Sequence, residues 1–165
     1  MCGTRVIGGI FVSDYRTASD PNWINKNNIG IIINMSDYDY LSYVPQIRIR
    51  MEDTLITDEN VDSFLHYFKC GINAIETYSN KTNILVHCSA GVNRSITLIG
   101  LYMLYKKYPF NYTISILSNA NRRRGVKFLT NPSFRNILYR FSVVQMTNCR
   151  NESKENQNLP SLLVH

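Results

Sequence analysis

The sequence predicts a single-domain α/β fold, a central sheet flanked by helices, and three observations carry that prediction. Short β-branched runs alternate with segments of helical apolar spacing, the pattern of an α/β chain. At 165 residues the protein suits one compact domain and leaves little for a second. Its 44% apolar and 18% charged content is that of a globular protein rather than a disordered one. No internal repeat or inter-domain linker is evident.

Residues 5–12 (RVIGGIFV) and 30–36 (GIIINMS) read as strands, with a short helical stretch around 20–28 between them. A third strand, 47–51 (IRIRM), alternates apolar and basic residues, as a half-exposed strand does. Val61, Phe64, Leu65, Phe68, Ile72 and Ile75 recur at helical spacing and predict a helix over about 59–79, opened by Asp58 and Glu59. The run 83–87 (NILVH) is a short buried strand. Residues 95–107 (SITLIGLYMLYKK) are apolar almost all round and close on two lysines, which marks a core helix. Two more helices fit 112–124 and 132–146. The folded domain is therefore expected over 1–147, and residues 148–165 read as a polar, disordered tail.

Composition excludes several classes. No run approaches the roughly 18 apolar residues of a membrane span. The N-terminus lacks a basic region followed by a hydrophobic stretch, so the expected location is intracellular, in the cytoplasm. Cys2, Cys70, Cys88 and Cys149 have neither paired nor metal-like spacing, so free thiols and no bound metal are expected. The net charge of +6 attracts anions such as phosphoproteins, nucleic acid or an acidic surface, and does not choose among them. It equally suits a merely basic soluble protein. The 19 Asn, 18 Ile and 11 Tyr suggest AT-rich coding, as in a large DNA virus or a protozoan. That bears on origin, not chemistry.

The informative stretch is His87-Cys88-Ser89-Ala90-Gly91-Val92-Asn93-Arg94-Ser95, set between the buried strand and the core helix. A loop there points successive backbone N–H groups at one spot, with the positive end of the helix dipole behind them. That is an anion cradle built from Ser89, Ala90, Gly91, Val92 and Asn93, and Gly91 lets the backbone turn tightly. Arg94, at the helix start, has the planar fork that binds two phosphate oxygens at once. Cys88 sits at the base of the cradle, where the helix terminus and Arg94 favour a reactive thiolate. Ser95 is placed to hydrogen-bond that sulfur. A bare Cys-x5-Arg is a weak signal, since 4 Cys and 11 Arg supply one by chance in roughly a quarter of such chains. Adding His before the Cys, Gly three after it and Ser after the Arg brings coincidence to roughly one in tens of thousands. The bland alternative is a buried Cys capping a strand beside an incidental Arg. His87 reads as structural support that orients the loop rather than as a catalytic base.

HCSAGVNRS resembles the signature loop of the protein tyrosine phosphatase superfamily in its small dual-specificity branch. The likeness covers roughly residues 4–146: RVIGGIFVSDYRTAS resembles the family's opening, and NRRRGVKFLTNPSF its Arg-rich helix and Asn-x-x-Phe motif. The loop and the order Asn131 to Phe134 look most like the poxvirus members. The resemblance implies the family's cysteine-phosphatase fold, with a mixed sheet and no cofactor or metal. It implies hydrolysis of phosphotyrosine and phosphoserine or phosphothreonine through a phosphocysteine, with phosphoproteins as partners. Two departures stand out. Ile96 replaces the small residue that usually follows the Arg-Ser pair, and the chain opens on its first strand, without the N-terminal helix through which the poxvirus enzymes pair. A monomer or weak dimer is therefore expected.

Expelling a Ser, Thr or Tyr oxygen from phosphate requires a proton, because these leaving groups have pKa values of about 10 or higher. Glu52, Asp53 and Asp58 all follow IRIRM and are candidates. The family's acid precedes a Thr in this loop, some thirty-odd residues before the Cys, and Asp53-Thr54 matches it by resemblance. Solvated loop charge with capping duty is the competing reading for all three and the preferred one for Asp58. Arg122, Arg123 and Arg124 read first as a solvated helix end, and second as support for the loop or for an acidic substrate. Cys70 reads as a plain core cysteine rather than a disulfide partner of Cys88. The alternatives to a protein phosphatase are an RNA 5′-triphosphatase or phosphatase, for which nucleic acid would be the partner, a phosphoinositide phosphatase, which a cradle without lysines disfavours, and a phosphate-binding pseudophosphatase.

Overall fold

The computed structural model describes residues 3–157. The first predicted strand is a hairpin: β1 (Thr4–Ile7) and β2 (Ile10–Ser13) pair antiparallel across Gly8-Gly9. Gly8 takes a φ of 51° there, and the tight two-residue Gly-Gly turn breaks what the pattern suggested was one continuous strand. Two short helices follow, α1 (Tyr15–Ala18) and α2 (Pro21–Lys26), capped by the side chains of Asp14 and Asp20. The remaining elements are β3 (Ile29–Asn34), β4 (Gln46–Arg48), α3 (Val61–Tyr78), β5 (Asn83–His87), α4 (Arg94–Tyr105), α5 (Phe110–Arg123) and α6 (Pro132–Gln157).

The sheet runs β1-β2-β5-β3-β4, with β1 antiparallel and the others parallel. It is the mixed sheet expected. Side chains alternate across it with the period of two that a pleated strand imposes. Ile10, Val12, Ile31, Ile33, Ile84 and Val86 enter the large core beneath the long helices. Phe11, Ile32 and Leu85 point the opposite way, into a smaller core with Ala18 and Ile24 of the short helices. The central strands are apolar on both faces because both faces are covered. Helix α4 is buried from Arg94 to Leu104, as its all-round apolar sequence requires.

Two boundaries differ from the sequence reading. Strand β4 leaves the ladder after Arg48, while Ile49 and Met51 remain buried at 5% and 1% exposure because the chain dives toward the head of α4. Helix α6 continues past residue 147, where the polar tail was expected to begin, and ends at Gln157. Each residue added to an established helix gains a backbone hydrogen bond, and Glu, Lys and Gln of this stretch are good helix formers. Residues 158–165 of that tail lie outside the described residues.

Phe134 fixes α6 to α3. It is fully buried, with its ring 6.0 Å from Phe64 and 6.2 Å from Phe68, both edge-on. Phe134→Ala should cost about 3–5 kcal/mol in urea unfolding. Val144→Ala, at a position 58% exposed, should stay within about 0.5 kcal/mol.

Candidate active site

The central strand β5 ends level with its neighbours, His87 lying in register with Ser13 of β2 and Asn34 of β3. Cys88 follows at this carboxyl edge of the parallel strands, where open α/β sheets bind ligands. The residue is 1% exposed; its sulfur accepts the Gly91 N–H at 3.2 Å and lies 3.3 Å from Ser95 Oγ. Four successive carbonyls of the loop are held from outside. Ser89 O accepts the Tyr15 N–H, and Val92 O the Leu129 N–H, both at 3.3 Å. Ala90 O and Gly91 O accept the two terminal nitrogens of Arg124 at 3.0 and 2.7 Å. A planar trans peptide sets N–H opposite to C=O. Tethering these carbonyls outward therefore turns the N–H groups of residues 90–93 inward, toward the sulfur at the head of α4. Gly91, at φ 68°, has no room for a side chain: a Cβ would strike the Arg124 guanidinium and stand 2.5 Å from Ser13 O.

Arg124 thus answers to the second sequence reading, loop support, and only Arg122 and Arg123 form an exposed helix end. Arg124 is the C-cap of α5 and 5% exposed, so it turns inward where its two neighbours turn out. Arg123 donates to Arg5 O at 2.6 Å.

Arg94 is 4% exposed. Its Nη1 donates to Met51 O at 2.6 Å and to Met35 O at 3.1 Å, and its Nη2 donates to Ser89 Oγ at 2.7 Å. These bonds fix the plane of the guanidinium. Its Nε, buried and without a hydrogen-bond partner among the described residues, has Asp53 Oδ2 at 3.7 Å.

Asp53 lines the same open cleft as Cys88, Ser89, Ala90, Val92 and Asn93, with Lys127 and Thr130 on another bank. Its side chain is 31% exposed. Asn93 Nδ2 donates to both carboxylate oxygens at 3.2 and 3.1 Å, and Asn131 Nδ2 donates to Oδ1 at 3.1 Å. Asn131 also donates to Thr54 O at 2.9 Å, and its own backbone N–H donates to Asn93 Oδ1 at 3.2 Å. Asn93, expected as a cradle residue, therefore directs its side chain to Asp53 and the loop that bears it. Asn131 was visible in the sequence only as part of a motif. Asp58 lies elsewhere, on a separate groove lined by α3 and α6, and Glu52 is exposed. The N-cap of α3 is Asn60, not an acidic residue. Cys70 is exposed on α3 rather than in the core.

His87 is fully buried. Its Nε2 is 2.7 Å from Tyr40 Oη and its Nδ1 is 3.4 Å from Cys88 O. Burial, reinforced by Arg94, pushes the imidazole down from 6.5 to about 4, against the raising influence of Cys88 O and Asp14. The neutral ring donates from Nδ1 to the carbonyl and accepts from Tyr40, whose phenol burial holds protonated well above its ordinary range. Nothing in the sequence signalled Tyr40, 47 positions away.

With this geometry, the relatives are informative. Residues 10–144 match the family model described as the dual specificity phosphatase catalytic domain. The chain is 28% identical over 147 residues to the vaccinia virus dual specificity protein phosphatase OPG106, covering 85% of this chain and 82% of that one. It is 30% identical over 103 residues to mouse dual specificity protein phosphatase 15, covering 61% of this chain but only 42% of the mouse protein. The crystal structure of DUSP15 superposes with a TM-score of 0.73 at 26% identity, covering 93% of this chain and 96% of that one. The chain belongs to the dual specificity phosphatase family. It is a protein phosphatase of the protein tyrosine phosphatase superfamily, whose members work through a phosphocysteine.

The neutral burial of His87 generates a stability prediction. The folded ring is the weaker base, so its contribution is complete above about pH 6.5 and is lost as pH falls toward about 4. The loss is of order 3 kcal/mol. Urea unfolding from pH 7 to 4 should show it, and His87→Gln, though less stable at pH 7, should show a shallower decline across this window.

Proposed function

We propose that this chain hydrolyses phosphotyrosine and phosphoserine or phosphothreonine in proteins by two displacements at Cys88. The observation that carries the reading is the grouping of Cys88, the inward N–H groups of its loop and Asp53 around one cleft, with Asp53 Oδ2 3.7 Å from the unpartnered Nε of buried Arg94. A buried donor left unpaired is costly, and a phosphoryl oxygen supplies its acceptor. In the first step the Cys88 thiolate attacks phosphorus, the S–P bond forms and the bond to the Ser, Thr or Tyr oxygen breaks. Asp53, in its acid form, gives that oxygen its proton. In the second step water attacks the phosphorus, its proton passes to Asp53, and the S–P bond breaks. Ser95 Oγ, 3.3 Å from the sulfur, donates a hydrogen bond to the departing thiolate. The loop N–H groups and Arg94 bind the equatorial phosphoryl oxygens throughout, which is where charge must be stabilised.

The same reading has phosphoproteins as partners, residues 1–147 as the working domain, and a monomer or weak dimer in the cytoplasm. Among the described residues no helix is long and apolar enough to cross a membrane. The likeness to a vaccinia protein supports a viral origin.

Phosphotyrosine and phosphothreonine peptides should both release phosphate. Cleavage confined to triphosphate-ended RNA would replace this reading with the RNA-phosphatase one. Cys88→Ser should abolish turnover while phosphate still binds. Arg94→Lys should be severely impaired despite its charge, because a lysine has no planar fork.

Asp53→Asn should slow alkyl and phenyl phosphates by about 10²–10⁴-fold and affect far less an aryl phosphate whose leaving group is already acidic. Asp58→Asn should match the wild type with every substrate. The reverse pattern would move the acid to Asp58.

A further inference from the structure

Asp37 lies beside Arg94 without a function in the chemistry above. Its side chain is 70% exposed, and Oδ2 lies 3.9 Å from Nη1 of the buried Arg94. The neighbouring cations do not neutralise it: Arg48 and Arg50 both pair with Asp39. Among the described residues Arg94 is the one cation within 4 Å of Asp37.

The backbone that carries Asp37 is held in place. Asn34, fully buried at the end of β3, accepts from the Ser36 N–H at 2.8 Å and from Ser36 Oγ at 2.7 Å through its Oδ1. Its Nδ2 donates to Tyr38 O at 3.1 Å, and the Tyr38 N–H donates to Ser36 Oγ at 3.3 Å. The Tyr38 ring stacks on Tyr15 at 4.2 Å and 15°, and the Tyr15 N–H holds Ser89 of the loop. The turn that carries Asp37 is thus pinned on both sides of it and tied to the cradle.

A phosphoryl group taking up Arg94 brings a dianion next to this carboxylate. Like charges at such separations repel, less in open water than in a partly dry cleft. A cation carried by the substrate beside its phosphorylated residue relieves the repulsion, and further anions on the substrate compound it. Building on the reading of Arg94 as the phosphate clamp, we propose that Asp37 is a specificity-determining residue that selects phosphopeptides with Lys or Arg flanking the phosphorylated residue and disfavours polyanionic substrates.

The test compares kcat/KM for three matched phosphotyrosine peptides bearing Arg, Gln or Glu at both flanking positions. An aryl phosphate with no charge beyond its phosphate reports folding and basal turnover. The wild type should prefer the Arg peptide over the Glu peptide by roughly three- to tenfold at low salt, and the preference should shrink as salt approaches 0.5 M. Asp37→Asn should collapse that ratio toward one while raising kcat/KM for the aryl phosphate through KM. Asp37→Lys should invert the ratio. A wild-type ratio near one, or a salt-sensitive ratio unchanged in Asp37→Asn with aryl phosphate turnover intact, would overturn the proposal and leave the phosphatase reading standing. No hydrolysis of either the aryl phosphate or any peptide by the wild type would instead overturn the phosphatase reading itself.

Discussion

The site depends on Arg124 holding the backbone of the cysteine loop. A loop that gathers N–H groups at one point must turn its carbonyls the other way, and buried carbonyls need donors. Arg124 supplies two of them from a single planar group, to Ala90 and Gly91, while Tyr15 and Leu129 supply the flanking pair. The cationic head of a helix-terminal arginine is thereby kept in the interior with its hydrogen bonds satisfied, the condition on which a buried charge is tolerated. The inward set of N–H groups is matched by anchoring outside the loop. Gly91 is the geometric counterpart, since any side chain there would occupy the space of the guanidinium.

Two arginines divide this work. Arg124 acts on the outer rim of the loop, and Arg94 on the inner one. Arg94 is also a brace: its Nη1 joins the carbonyls of Met35 and Met51, which leave the ends of β3 and β4. The loop that follows Met51 and carries Asp53 is then set by Asn93 and Asn131. Asp53, far from Cys88 and Arg94 in the chain, meets them because polar side chains of the loop region reach the segment that bears it.

Much of this was legible in the sequence, for identifiable reasons. The strand NILVH and the all-round apolar helix after it bracket the loop, and periodicity reads both well. The chemistry of Cys88, Arg94 and Ser95 lies within eight consecutive residues, where spacing alone implies proximity. Gly8-Gly9, by contrast, carried a turn signal that the surrounding β-branched run masked. The roles of Asn131 and Tyr40 are tertiary: each meets its partner across dozens of residues, so no local pattern marks them. Arg124 was ambiguous because three adjacent arginines look alike until the helix end decides which one faces inward.

The segment between β3 and β4 has a further consequence. It is fastened at its start by Asn34 and in its middle by Tyr40 on His87, yet Leu41 and Tyr43 beyond are 84% and 69% exposed. The fastening residues and the displayed residues are thus different ones. The displayed positions can drift in sequence without disturbing the reaction centre beneath them, so such a protein can acquire new clients while its chemistry stays fixed.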